Sequence, residues 1–166
     1  MIALAGLRPR PDFAGRWDVP LIPADVERAA YHAAADLTEP QAAELIKRTE
    51  QAAEAAGVAA LRAAEASLPD NEITSVAVVV KAVSLPASTA QLLRSHAWMH
   101  AAEGVLYREA MLGAARQLGW TAHAVDSATL ADLHQELAAV GRAAGRPWRR
   151  IDKDAAAAAL QVLPDS

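Results

Sequence analysis

Apolar positions recur with a helical period over Ser88 to Leu118. At about 100° per residue, Leu92, Met99, Leu106, Met111 and Leu118 share one broad face. Arg94, Arg108, Glu109 and Arg116 fall roughly opposite. Trp98, Val105 and Leu112 form a second, narrower apolar stripe among those charges. Ser88 with Gln91 makes a capping box, Pro86 lies just outside, and Gly119 marks the far end. The spacing predicts one long helix, or two pieces meeting near Gly104. Two apolar stripes imply cover on two sides, one by a sheet and one by a neighbouring helix or a second copy of the chain. Trp98, Val105 and Leu112 are the expected surface for self-association.

The rest of the chain reads as shorter units. Met1 to Leu7 is a short apolar strand. Arg8 to Pro23 carries Pro9, Pro11, Pro20 and Pro23 and reads as a wrapping loop, within which Trp17 to Ile22 is an edge-strand candidate. Asp25 to Asp36 is predicted helical with Asp25 as its cap. Thr38, Pro40 and Gln41 mark a second helix start, running to about Ala66 with a bend expected at Gly57. Leu68 to Asn71 is a turn. The Val/Ala run of Ile73 to Leu85 predicts a central strand buried on both faces. Trp120 to Asp126 predicts another strand. A helix capped by Ser127 or Thr129 should run to about Ala144, and a last one, capped by Asp152, from Lys153 to Leu163. The order predicts an α/β fold, a single three-layer domain over residues 1–166 with a mainly parallel central sheet and long flanking helices. Residues 1–37 are its irregular strand, loop and short helix, and 38–166 its core.

Composition narrows the function classes. Hydrophobic residues make up 53% of the 166, enough for a globular core, and much of that is Ala. The absence of Cys removes disulfides, thiolate catalysis and Cys-ligated zinc, and fits a cytoplasmic protein. The apolar start is too short for a membrane span, so no membrane partner is expected. A net charge of −4 argues against a chain that coats nucleic acid over its whole surface, but leaves room for a local basic patch.

Polar chemistry collects in two places. His96, His100, Glu103 and Tyr107 follow one another at spacings of four, three and four, which stack side chains on a helix. They are the candidate catalytic residues of a small hydrolase, with a divalent metal as candidate cofactor; a hydrogen-bonded structural network is the alternative. Ala97 follows His96, so the pattern is not the zincin motif. The second place is Arg142, Arg146, Trp148, Arg149, Arg150 and Lys153, where cations suit phosphates and an indole suits a base. Lys81 and Asp126, near the carboxyl ends of predicted strands, are further candidates, since ligands of such sheets sit there.

From about residue 40 to 164 the layout resembles the ribonuclease-H-like superfamily, in its Holliday-junction-resolvase branch. The resemblance lies in VAVVVKAVSLPAS, in the GAARQLGWTAHAVD transition and in GRAAGRPWRRIDKDAAAAALQVLPD. It implies a two-metal nuclease site built from acidic residues. The first strand, MIALAGL, has no such acid, and the central strand carries Lys81 instead; Asp152 and Asp154 lie in a matching place. The resemblance therefore implies a degenerate domain that binds nucleic acid or a protein partner.

Overall fold

The computed structural model describes residues 1–68 and 72–165. Most of the turn expected at Leu68 to Asn71 thus lies outside the described residues. The fold is mixed α/β, with a small parallel sheet and six α-helices among the described residues. In chain order, β1 (Ile2–Ala5) and β2 (Asp12–Arg16) form an antiparallel hairpin with a bulge between Ala3 and Leu4. Then come α1 (Ala30–Ala34), α2 (Glu39–Ala66), β3 (Ser75–Val80), α3 (Thr89–Leu92), α4 (His96–Gln117), β4 (Thr121–Asp126), α5 (Ala138–Ala144) and α6 (Arg150–Val162).

The parallel part is smaller than the element order suggests. β3 pairs with β4 in register Ser75↔Thr121 to Val80↔Asp126, and among the described residues β1 pairs only with β2. The expected strand Ile73–Leu85 shortens to six residues, because the ladder runs only as far as β4 accompanies it. Its residues are half-buried throughout rather than buried on both faces. Helices nevertheless cover both faces, and alternation along the strands sorts the contacts. Ala77, Val79 and Val125 pack in the cluster of α6 with Ala156, Ala157 and Leu160. Val76 and Ala122 pack on the other side with Leu61 of α2 and Ala114 and Ala115 of α4.

The long amphipathic stretch divides at Leu93–Ser95, not at Gly104. Ser88 caps α3 by accepting from the Gln91 N–H at 3.2 Å, and Ser95 caps α4 by accepting from that of Trp98 at 3.4 Å. A second serine placed to satisfy free N–H groups outcompetes continuation of the helix. α2 starts as expected, with Thr38 and Gln41 bonded to each other. It shows no break at Gly57, whose role is steric. A Cβ there would stand 3.0 Å from that of Ala114, so the missing side chain lets α2 and α4 approach closely.

Other expectations change at the element ends. The proline-rich segment contains β2, which the hairpin partner imposes, while Trp17 to Ile22 forms no strand. The helix expected from Asp25 begins only after Ala29, because the Glu27 carboxylate accepts from the Ala29 N–H and holds a turn. The helix expected from Ser127 to Ala144 is two 3-10 segments, Ser127–Thr129 and Ala131–Gln135, followed by α5. Asp152 sits one turn inside α6 rather than at its cap, and bonds back to the Arg149 N–H at 2.8 Å. The proposed association stripe is not intact either. Leu112 is buried at 2% exposure inside the chain, leaving Trp98 exposed and Val105 half-buried.

Candidate metal centre

Tyr31 places the key residue. It packs against Ile22, Ala53 and Leu106, against Ala42 and Ile46, and against Leu92 and Met99, so α1 is wedged between α2 and α4. Burial, with Glu50 and Glu103 nearby, pushes the Tyr31 hydroxyl pKa up. The neighbouring His32 is thereby presented to the start of α4. Tyr107 fixes the approach to α1, its hydroxyl donating to the Arg28 carbonyl. Burial and Glu103 push its pKa up, so it stays a donor. Tyr107 thus positions the site and does not line it.

Three imidazoles converge. His32 Nε2 lies 3.1 Å from His96 Nδ1, and His100 Nε2 lies 3.0 Å from His96 Nε2. The ring centroids are 4.4–4.7 Å apart. One nitrogen from each ring lies within 4.8 Å of the others, a separation a single metal ion can bridge. Tetrahedral zinc, at about 2.0–2.1 Å from each nitrogen, needs ligand atoms about 3.3 Å apart. His96 and His100 are exposed and His32 is half-buried, so the cluster opens to solvent.

Glu103 stands behind the rings at 13% side-chain exposure. Its Oε1 accepts from His32 Nδ1 at 2.8 Å and from the His32 backbone N–H at 3.4 Å. Its Oε2 lies 3.6 Å from His100 Nδ1. A neutral imidazole has one N–H. A chain of neutral rings therefore uses its three N–H groups as His32 to Glu103, His96 to His32 and His100 to His96. That leaves a lone pair on His100 Nδ1 opposite a carboxylate oxygen. With a cation among the rings, both Nδ1–H groups can donate to Glu103 while both Nε2 lone pairs face the ion. A carboxylate behind a ligating histidine fixes tautomer and orientation in this way.

The sequence placed His96, His100 and Glu103 correctly on one helix face but missed His32. Helical spacing reveals partners three and four residues away, whereas His32 is 64 residues from His96. Its only sequence signal was a polar residue beside Tyr31 in a short apolar helix.

The basic segment divides into cations that face a carboxylate and cations for which none is seen among the described residues. Arg149 Nε lies 3.3 Å from Asp152 and Nη2 3.7 Å from Asp18; Arg150 Nε lies 3.6 Å from Asp154. Burial alone would raise the Asp152 pKa, but hydrogen bonds from Arg149 and the charges of Arg149 and Arg16 outweigh it and hold it below the usual carboxylate range. The two acids that the ribonuclease-H-like layout would assign to metals are therefore engaged with arginines. Arg142, Arg146, Trp148 and Lys153 instead line a groove of about 530 Å³ whose described lining contains no carboxylate. Gly141 lies against the indole there; a Cβ would come within 2.7 Å of Nε1. Lys81 is exposed just beyond β3, and Asp126 caps the following turn by accepting from the Ala128 N–H at 2.9 Å. No helix is long and apolar enough to cross a membrane among the described residues.

Comparison of the chain with protein-family models, with curated proteins and with solved structures finds no match.

Proposed function

We propose that the chain binds one divalent transition metal through His32, His96 and His100 and uses it for hydrolysis. The observation that carries this reading is the Glu103 carboxylate set behind the Nδ1 atoms of both His32 and His100, which turns their Nε2 atoms toward His96. Three neutral imidazoles with a solvent-facing fourth position form one donor set of catalytic zinc sites, where the metal lowers the pKa of bound water to about 7 and so supplies a nucleophile for hydrolysis. His32, His96 and His100 hold the ion, Glu103 fixes two of the rings, and Tyr31 and Tyr107 hold α1 against α4. Cobalt(II) is a direct probe. One equivalent per chain should give an intense visible absorption of tetrahedral cobalt. Glu103→Gln should weaken binding by about 10–100-fold without changing the stoichiometry. A spectrum of hexaaquo cobalt only, in the parent chain, would end the proposal.

A second reading keeps the degenerate ribonuclease-H-like domain, with nucleic acid as partner. It is supported by the groove of Arg142, Arg146 and Lys153 beside Trp148, whose described lining contains no carboxylate. Phosphate contacts impose a salt dependence of about 0.7 per contact on single strands. Arg142→Ala/Arg146→Ala should therefore lower both the affinity for an oligonucleotide and its salt slope. Arg149→Ala/Arg150→Ala should change them less, because those cations already face Asp18, Asp152 and Asp154. Equal effects of the two double variants, measured by anisotropy at several salt concentrations, would remove this reading.

A further inference from the structure

A cleft of about 340 Å³ lies between the hairpin and the parallel sheet. Residues 1–6 and 72–77 line it as two unbroken runs. A strand that turns one face to a cavity contributes alternate residues; a strand that turns its edge contributes consecutive ones. The cleft is therefore bounded by the edges of β1 and β3. Ala155, Ala159 and Val162 of α6 form one wall, and Leu61 and Ala64 of α2 another. This is the setting of a sheet strand, with the strand itself missing.

Hydrogen-bond direction supports this. Thr74 O accepts from the Thr121 N–H, so in the parallel ladder the even residues of β3 bond toward β4. The main-chain groups of Ser75 and Ala77 then point the other way. Met1 and Trp17 exchange bonds in the hairpin, so those of Ile2 and Leu4 point away from β2. No ladder joins β1 to β3. Two rows of donors and acceptors thus face one largely apolar cleft, and main-chain groups in such a place need partners. An acyl chain offers none, whereas an extended polypeptide offers both kinds at the right repeat. The side walls are apolar, with Ala64, Ala155 and Ala159 among Leu61, Val162 and Leu163, and Glu72, an acid at the β3 end, is the only ionisable side chain in the described lining.

We infer that the β1–β3 cleft accepts an extended segment of a partner polypeptide as a guest strand, with small apolar side chains along its length and a cationic residue at the Glu72 end. This is independent of the metal centre. Amide hydrogen exchange tests it on the whole chain, with the peptide acetyl-Lys-Val-Ala-Val-Ala-Val-amide as probe. In the free protein the amides of Ile2, Leu4, Ser75 and Ala77 should exchange at least about tenfold faster than those of Val76 and Val78, whose N–H groups are in the ladder. The peptide should slow those four by about tenfold or more. The same peptide N-methylated at alternate amides should leave them unchanged, and Glu72→Lys should weaken the protection. Slow exchange of all four amides in the free chain would mean that β1 and β3 pair with each other, and would overturn the inference. So would an absence of protection at millimolar peptide, or equal protection by the N-methylated peptide or by lauric acid.

Discussion

Zinc at a hundredfold excess over its dissociation constant should stabilise the folded chain by about 2.7 kcal/mol. For a domain of this size that is an increase of about 5–11 °C in melting temperature. In His32→Ala the increase should vanish, although His96 and His100 remain on their helix. Two exposed imidazoles one turn apart on α4 bind zinc weakly; the third, held by Glu103 at 2.8 Å, completes the set. Without metal, His32→Ala should cost about 1.5–3 kcal/mol, the net worth of a hydrogen bond to a carboxylate, since Nδ1 donates to the largely buried Glu103. Calorimetry with and without zinc separates these terms. An equal zinc shift in parent and variant would show that His32 is not a ligand. Loss of the shift in His32→Ala together with its retention in Tyr107→Phe would separate the ligand from the residue that merely holds α1 in place.

Leu160→Ala should produce the largest loss of stability, about 2–5 kcal/mol. Leu160 is fully buried in α6, in the cluster that joins Ile2 of β1, Val125 of β4 and Val140 of α5. Its neighbours Ala156, Ala157 and Ala158 are already minimal in size, so they cannot move side-chain volume into the void. Against a net stability of about 5–15 kcal/mol, such a loss is a large fraction of the whole. Ile151→Ala, at the second residue of α6 and 68% exposed, should change stability by less than about 0.5 kcal/mol. Chemical denaturation of both variants gives the comparison. Similar losses in the two would mean that α6 does not anchor the strands as described.

What could be read from the chain was whatever depends on near neighbours. The capping box of Thr38 and Gln41, the apolar period of α4, the starting strand and the Val/Ala strand with its Trp120–Asp126 successor all rest on patterns within a few residues. The grouping of His96, His100 and Glu103 was legible for the same reason. What spanned the chain was not legible. β2 exists because β1 supplies its ladder, and Leu112 is buried because of tertiary packing that its place on a charged-looking stripe did not announce. His32 joined the histidine pair because Tyr31 wedges α1 between two long helices, and Arg149 and Arg150 came to face Asp18, Asp152 and Asp154. Local spacing fixes which side chains share a helix face; only the packing of one element on another brings donors from distant segments to within 3.1 Å, and that packing decides which polar groups become a site.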